Sequence, residues 1–429
     1  MRLLITNGHV VDPANDIDTV CDVAIADGVI VSVGTVADGF QSQQVIDASR
    51  HVVCPGLVDV CARLREPGQE PKADIASETT AAAHAGITTL CVPPDTDPVI
   101  DTPAVAELVR RHAKHAGKAK VVTLGALTQD LQGEALAEMA ALKEAGCVGV
   151  SNACHPVVNT LVLRRAMDYA ATHALTVFIK PMDFFLSQGG CAHEGPVSAR
   201  LGLPGISEAT ETIAVARDLV LIEQTGVRAH FCQLSSAKAV NIIGRAQYAG
   251  LPVTADVTGH HLHLTEMDIA DFNNHCHVIP PLRSQRDRDG LRDGVKQGVI
   301  GAICSDHQPH EDDVKLAPFC ATAPGMSALE TLLPLALRLR EQNMSMSKII
   351  ARLTHIPARI LNVPAGTLSP GQAADICIFD PDRYWTVQSS QLVSRGRNTP
   401  FLNWELQGRV THTLLDGHIV YSPAGHMEN

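Results

Sequence analysis

The chain has 429 residues, a length that fits one large domain with an appendage or two to three smaller domains. Hydrophobic residues make up 45% of the sequence but aromatic residues only 3%, so a core must consist mainly of Val, Leu, Ile and Ala. The formal net charge of −12 excludes a general nucleic-acid binder, because phosphate contacts need a basic face.

The first residues, MRLLITNGHVVDP, contain a short apolar run without the architecture of a signal peptide, and no stretch of about 18 apolar residues occurs in the chain. We therefore expect a cytoplasmic protein that does not contact a membrane. The 12 cysteines are scattered without a paired framework, and Cys91, Cys232 and Cys304 lie in apolar strand-like runs. This distribution predicts reduced, buried thiols and no disulfides.

Strand-rich segments occur at both ends of the chain. At the start, Asn-Gly and Asp-Gly turns are predicted to connect the strand segments LLITNGHVVD, CDVAIADGVIVSVG and QQVIDASRHVVCPG. At the end, the segments AADICIFDPDRYWTV and GRVTHTLLDGHIVY show the same strand pattern, with an Asp-Gly turn predicted at Asp416-Gly417. We predict that residues 1–52 and 363–429 pair into one small β-sandwich.

The middle of the chain, residues 53–362, alternates apolar strand segments with amphipathic helices such as TPAVAELVRRHAKHA and SAKAVNIIGRAQYAG. The strand candidates are HVVCPGLVDV, ITTLCV, KVVTLG, CVGVS, LTVFIK, RAHFCQL, PVTADV and VIGAICS. Eight strands buried on both faces and separated by helices predict an α/β fold of the (β/α)8 barrel type. The chemistry of such a barrel is found at the carboxyl ends of its strands.

Several segments along the chain, many of them near these strand ends, resemble those of a known family, in the family's order. They are PGLVDVCARLREPG, GITTLCVPPDTDPVID, HEGPVSARLGLPGISEATE, VTADVTGHHLHLTEMDI, IPPLRS, ICSDHQPH, GTLSPGQAADICIFD and NTPFLNWELQGRVTHTLLDG. Together they resemble the dihydroorotases of the amidohydrolase superfamily, nearly end to end. The resemblance implies an amidohydrolase-type barrel whose active members use zinc to open or close the cyclic amide of dihydroorotate, because a bound metal makes hydroxide available near neutral pH.

The resemblance also implies six metal-ligand positions: His-x-His after the first strand, a bridging acidic group after the fourth, histidines after the fifth and sixth, and an aspartate after the eighth. This chain carries at these positions, in order, Cys61, Arg63, Ala153, Lys180, Gln233 and Asp306. A thiolate can bind zinc, but a guanidinium cannot. Since five of the six positions are replaced, two of them by cations, we expect no metal, no cofactor and no catalytic residue, with Asp306 as a remnant.

The implied substrate contacts are altered as well. Arg65, which would bind the substrate carboxylate, and His307 remain. Asp95 stands where the family has a neutral amide, and a carboxylate there would repel an anionic substrate. Ile279 replaces another hydrogen-bonding amide. These four positions are therefore expected to be vestigial substrate-binding positions.

Each of these features has two interpretations. Cys61 is either a zinc ligand or nucleophile, or a small buried hydrophobe, and we favour the second because no partner histidine is evident. Arg63 and Lys180 either bind an anionic ligand or neutralise Asp306; we favour the second and predict that Asp306 lies within hydrogen-bonding reach of one of them. We interpret the pair Asp306-His307 as structural, because a general base without activated water has no substrate for proton transfer.

A further cluster, His260-His261-x-His263, has the composition of a metal site, but relatives keep its first two histidines without using them as primary ligands, and we do not expect a metal there.

The favoured hypothesis is an inactive dihydroorotase homologue that serves as a structural subunit. The resemblance implies a partner, the catalytic chain of aspartate carbamoyltransferase in pyrimidine biosynthesis, in a hetero-oligomer. Two alternatives remain. The first is an active cyclic-amide hydrolase with a rearranged or mononuclear metal site around Cys61, Asp306 and His307. The second is a sensor that binds an anion through Arg63, Arg65 and Lys180.

Overall fold

The computed structural model describes residues 2–423, which contain eighteen strands and twelve α-helices. The strands are β1 (Arg2–Asp12), β2 (Ile17–Ala26), β3 (Val29–Gly34), β4 (Gln44–Asp47), β5 (Val52–Pro55), β6 (Leu57–Asp59), β7 (Ile87–Val92), β8 (Lys120–Ala126), β9 (Gly149–Ser151), β10 (Thr176–Ile179), β11 (Ala192–His193), β12 (Gly205–Ile206), β13 (Ala229–Phe231), β14 (Val253–Thr258), β15 (Ala302–Cys304), β16 (Ile376–Thr386), β17 (Glu405–Leu415) and β18 (His418–Tyr421).

The helices are α1 (Ile75–His84), α2 (Pro103–Ala116), α3 (Met139–Glu144), α4 (Thr160–Thr172), α5 (Phe184–Ser187), α6 (Pro196–Leu201), α7 (Ala209–Thr225), α8 (Ala237–Tyr248), α9 (Gln285–Gln297), α10 (Leu329–Leu337), α11 (Met346–Leu353) and α12 (His355–Leu361). Short 3-10 helices lie at Gln129–Leu131, Glu266–Ile269, Asn274–Cys276, Asp312–Lys315, Phe319–Ala321, Arg338–Gln342 and Ser389–Gln391.

The two ends of the chain form one mixed sheet in the order β18-β17-β16-β5-β1-β2-β3, with β4 beside β1. Strand β1 pairs in parallel with β4 and β5, and the other pairs are antiparallel. Apolar side chains from both ends share one buried cluster, which includes Leu3, Ile25, Ile376 and Leu414. The predicted pairing of the terminal segments is therefore confirmed.

Two local predictions for these segments were wrong. Asn7-Gly8 is not a hairpin turn but lies inside β1, at a register shift in the pairing with β2, where Asn7 has φ 60°. A residue in the left-handed region allows a strand to bulge without ending it. The segment HVVCPGLVDV is not one barrel strand: Val52–Pro55 belong to the terminal sheet, in line with the predicted terminal segment QQVIDASRHVVCPG, and the first barrel strand begins at Leu57. The Asp416-Gly417 turn is present between β17 and β18.

The middle of the chain is an eight-stranded parallel barrel, as predicted, in the order β15-β14-β13-β10-β9-β8-β7-β6. A bridge between Ala62 and His307 joins the ends of the first and last strands, where the Arg63 amide donates to the His307 carbonyl at 2.9 Å. This contact closes the barrel at its carboxyl end, so residues that follow β6 and β15 lie next to each other.

The helices that follow the strands bury one face against the barrel. In α2 the buried positions Val105, Ala106, Val109 and Ala113 recur at helical spacing. Pro103 occupies the first turn of this helix, where its missing N–H costs nothing, and Gly117 ends it with φ 62°. The predicted α2 and α8 are both present, and between residues 2 and 423 no helix is long and apolar enough to cross a membrane.

The expectation that all cysteines are free thiols was wrong for one pair. Cys191 and Cys320 form a disulfide with a Cα–Cα distance of 5.4 Å, while ten cysteines, including Cys91, Cys232 and Cys304, are free. The two bonded residues are 129 positions apart in sequence, so their proximity is a product of the fold and could not be seen in their spacing. The disulfide connects the segment after the fifth barrel strand to the segment after the eighth.

Candidate functional site

The carboxyl ends of the barrel strands converge on a buried group of charged side chains. Four residues there have a left-handed backbone conformation: Arg65 (φ 65°), Ala153 (φ 48°), Gln233 (φ 49°) and Asp306 (φ 44°). Non-glycine residues adopt this region at an energetic cost, and such residues cluster at functional sites. Three of these four are metal-ligand positions implied by the family resemblance, so the strand ends keep a strained backbone although the side chains have changed.

Asp306 is the centre of the charged group. Its Oδ1 accepts a hydrogen bond from Arg63 Nη1 at 2.9 Å, and its Oδ2 lies 3.8 Å from Lys180 Nζ. Gln308 Nε2 donates to Oδ2 at 3.1 Å, and the Cys61 thiol lies 3.5 Å from Oδ1. The prediction that Asp306 lies within hydrogen-bonding reach of Arg63 or Lys180 is therefore confirmed by the Arg63 contact.

Arg63 also contacts two further loops at this centre. Its Nε donates to Asp95 Oδ2 at 2.9 Å, and its Nη2 donates to the Cys154 sulfur at 3.4 Å. Lys180 Nζ lies 3.6 Å from the same sulfur. Asp95, which we interpreted only as a group that would repel an anionic substrate, is thus a counter-ion of Arg63. Cys154, which follows the replaced acidic position at Ala153, is a member of the site that the sequence analysis missed.

The protonation equilibria follow from this geometry. Burial alone would raise the pKa of Asp306, but Lys180 and Arg63 outweigh it and hold the pKa below its usual range. Burial would lower the pKa of Lys180, but Cys154 and Asp306 raise it above the ordinary value of a lysine. Burial and the Asp306 charge raise the pKa of the Cys61 thiol well above its usual range. The site therefore holds a carboxylate between two cations, next to a neutral thiol at Cys61.

Arg65 is held by its own surroundings. Its guanidinium donates to the Pro309 carbonyl at 3.0 Å and to Gln69 Oε1 at 3.3 Å, and it lies 3.2 Å from the His310 ring. Burial and the nearby Arg63 lower its pKa to about 10. These contacts fix the loop after the first strand to the loop after the eighth.

His307 is fully buried, and the structure does not bring it to an open surface. Its Nε2 lies 2.7 Å from Glu78 Oε2, and its Nδ1 accepts from the Ala328 amide at 3.0 Å. Because both ring nitrogens have internal partners, the ring connects α1 to the loop before α10. A fully buried ring with both nitrogens engaged has no face for a ligand, so the expectation that His307 is a vestigial substrate-binding position rests on the family resemblance alone.

Two of the three histidines of the cluster after β14 have hydrogen-bond partners within the protein. His261 Nδ1 lies 2.7 Å from Thr258 Oγ1, and His263 Nε2 lies 2.7 Å from the Leu335 carbonyl. His260 is buried, and burial lowers its pKa to about 4. The rings are thus neutral groups of the interior.

A different group, which the sequence analysis did not single out, could hold a metal by composition. His230, Cys232 and Asp256 lie on neighbouring strands with ligand atoms within 4.8 Å of one another. Asp256 already accepts from His230 at 2.8 Å and from the backbone amide of Gln233 at 2.7 Å, and the Cys304 thiol also donates to it at 3.2 Å. The carboxylate is therefore satisfied within the protein, and we interpret the group as a structural link between β13 and β14.

The barrel with its terminal sheet and its converging strand ends defines an amidohydrolase-type protein. Residues 50–239 match the family model described as "Dihydro-orotase-like", and residues 302–421 match the model described as "Amidohydrolase family". The L-hydantoinase (dihydropyrimidinase) from Arthrobacter aurescens has the same fold, with a TM-score of 0.88 over 98% of this chain and 96% of that chain at 22% identity.

Two relatives are much closer in sequence. A dihydroorotase-like protein of Pseudomonas aeruginosa is 49% identical over 422 residues, which cover 98% of this chain and 100% of the relative. A dihydroorotase of Syntrophotalea carbinolica is 42% identical over 422 residues, which cover 98% of this chain and 99% of the relative. The chain belongs to the dihydroorotase-like amidohydrolase family.

Proposed function

We propose that this protein is a catalytically inactive member of its family that serves as a structural subunit, with the catalytic chain of aspartate carbamoyltransferase as its partner in a hetero-oligomer of pyrimidine biosynthesis. The observation that carries the proposal is the position of the Arg63 guanidinium. It occupies a family ligand position and binds both Asp95 and Asp306 within 2.9 Å.

The donor set around Asp306 does not fit zinc. A guanidinium and an ammonium have no lone pair for a metal, and both repel a cation. The carboxylate that would bind the metal already has Arg63 and Lys180 as counter-ions. Cys61 supplies a single thiol beside Asp306, whereas a catalytic zinc usually has three protein ligands. We therefore derive no hydrolytic step at this site.

The choice of partner follows from the family resemblance, and the intact fold supports a structural role. The strained strand ends, the closed barrel and the shared terminal core are all present although the ligand side chains have changed. An interface needs a rigid surface and does not need a reactive pocket.

A second candidate is an active cyclic-amide hydrolase with a rearranged metal site around Cys61 and Asp306. The name of the Syntrophotalea carbinolica relative, a dihydroorotase at 42% identity, favours it. Metal analysis of the purified protein, together with a dihydroorotase assay with added zinc, separates the two candidates. A zinc stoichiometry near one per chain with turnover would establish the hydrolase and overturn our proposal.

The structural role is tested by co-expression with an aspartate carbamoyltransferase catalytic chain, followed by size-exclusion chromatography and a carbamoyl-transfer assay. We expect one heteromeric peak and a partner that loses assembly or activity when this chain is omitted. The variant Cys61→Ala and the charge-balanced double variant Lys180→Met/Asp306→Asn should form the same active complex. Separate elution of the two chains, with a partner that is fully active alone, would refute the structural role.

A further inference from the structure

An apolar surface lies on the outside of the barrel, where α7 packs against α4 and α5. The amide of Asp183, which precedes α5, donates to the Thr210 carbonyl in the first turn of α7 at 2.9 Å. Further along α7, Arg217 Nη1 donates to the Val157 carbonyl, just before α4, at 3.3 Å. The three helices therefore lie side by side. The name apolar face is used below for the six large side chains on these helices that remain 41–70% exposed: Leu161, Phe184, Phe185, Leu186, Ile213 and Val220.

The outward side of α7 does not have the composition of a solvent-facing helix. Before its last turn the helix has three exposed positions, which carry Ile213, Ala216 and Val220 at the i, i+3 and i+7 spacing of one helical stripe. A barrel helix usually presents polar and charged side chains on the side opposite the core. The helix α2 does so, and the charged or basic residues at its exposed positions are Glu107, Arg110, Arg111, Lys114 and His115.

The area of the apolar face is that of a dimer interface. A fully exposed side chain of this size presents roughly 150–200 Å², so the apolar face exposes roughly 500–600 Å². A standard interface buries about 800 Å² on each partner, and a homodimer interface is about 65% apolar, which amounts to about 500 Å² of apolar surface. Monomeric soluble proteins rarely leave a continuous apolar surface of that size in water. The area thus indicates a protein partner.

The spacing along α7 indicates which partner. Ile213 and Val220 lie at equal sequence separations on either side of a point between Ala216 and Arg217. In a twofold symmetric interface, residue i of one copy contacts residue j of the other, and residue j of the first contacts residue i of the second. Two α7 helices packed antiparallel about that point place Ile213 of each copy against Val220 of the other, with the small Ala216 at the crossing, where it allows close approach of the helices. An unrelated partner imposes no such symmetry on the sequence.

We propose that the apolar face is the twofold interface between two copies of this chain, with the two α7 helices antiparallel at its centre and Phe184 and Phe185 of α5 packed at its edges. Burial of about 500 Å² of apolar surface on each copy supplies the driving force. The proposal does not depend on the proposed structural role, because it concerns the chain alone. Failure to bind an aspartate carbamoyltransferase chain would leave this dimer intact.

The test is sedimentation velocity of the purified full-length chain, without a partner, over a range of micromolar concentrations. We expect the wild type to sediment as a dimer. Ile213→Glu and Val220→Lys should each raise the Kd of the dimer by about 100-fold or more, because each change places an unpaired charge against apolar surface twice per dimer. Val20→Lys is the matched control, since Val20 is 67% exposed but lies in the terminal sheet, and it should leave the dimer unchanged. A monomeric wild type, or a dimer that both apolar-face variants leave intact, would overturn the proposal.

A mixture of the two variants tests the antiparallel arrangement and shows that both chains are folded. When Ile213→Glu and Val220→Lys are combined in equal amounts, the new glutamate of one chain faces the new lysine of the other, and the second contact keeps its wild-type pair. We therefore expect the mixture to form a heterodimer although each variant alone is monomeric. A mixture that stays monomeric would refute the arrangement. If the wild type is monomeric and the variants lose only a complex with the aspartate carbamoyltransferase chain, the face belongs to that partner and the proposal is wrong.

Discussion

Replacing Asp306 by asparagine removes the one carboxylate that lies near both Arg63 and Lys180. With an effective dielectric constant of about 20, the attraction is roughly 6 kcal/mol for the Arg63 contact at 2.9 Å and roughly 4 kcal/mol for the Lys180 contact at 3.8 Å. The variant recovers the desolvation cost of the carboxylate, which is several kcal/mol. The expected net loss is therefore about 3–5 kcal/mol of unfolding free energy, the range measured when one partner of a buried pair is removed.

The measurement is urea unfolding of a double-mutant cycle with Asp306→Asn, Lys180→Met and the double variant. The double variant should be more stable than the sum of the single losses predicts, because Arg63 keeps Asp95 as its counter-ion and no ammonium is left buried without a carboxylate. The surface ion pair Arg164–Asp168, at 3.8 Å, serves as control, and Asp168→Asn should cost less than about 1 kcal/mol. A loss below 1 kcal/mol for Asp306→Asn, or strict additivity in the cycle, would refute the ion network as a source of stability.

Three further outcomes follow from the same geometry. The pKa of Asp306 in the folded protein lies below its value in the unfolded chain. Its contribution to stability is therefore present above the unfolded pKa of about 3.9 and is lost as the pH falls through the folded pKa. Acid unfolding of the double variant Lys180→Met/Asp306→Asn should consequently depend less steeply on pH than acid unfolding of the wild type. Arg63→His should give no zinc-dependent dihydroorotase turnover, because one imidazole does not remove the remaining cation; measurable turnover would contradict our interpretation. Thiol titration of the unfolded, unreduced protein should find ten thiols, and twelve after reduction, whereas twelve in both states would exclude the disulfide between Cys191 and Cys320.

The barrel could be predicted from the sequence because its strands are buried on both faces and read as uninterrupted apolar segments. The contact between Asp306 and the cations could also be predicted, since all eight strands of a parallel barrel end at the same rim. Residues that directly follow different strands are therefore neighbours regardless of their sequence separation. Arg63 and Asp306 are 243 positions apart and yet lie at hydrogen-bonding distance.

The contacts made by loop residues could not be predicted, because they depend on how far each loop extends across the carboxyl ends of the strands. Asp95 lies in the loop after the second strand, and nothing in its sequence indicates that it bonds to Arg63. The same holds for Cys154, whose sulfur lies between two cations only because the loop after β9 turns at Ala153 with a positive φ. The burial of His307 is likewise not visible in its motif: its neighbour Asp306 faces the centre, while its own ring packs against α1.

The bonding of Arg63 also explains why several replacements occur together. The planar guanidinium donates to Asp306 from one nitrogen and to Asp95 from another, and the two carboxylates together balance the charges of Arg63 and Lys180. An amide at the Asp95 position would leave Arg63 and Lys180 with one carboxylate, and a histidine at the Arg63 position would leave the half-buried Asp95 without its counter-ion. Each single return toward a metal-binding set therefore leaves one charge of the centre without its partner, which is destabilising. The residues at these positions therefore stabilise one another. More than one substitution would be needed to convert the present centre into a metal site.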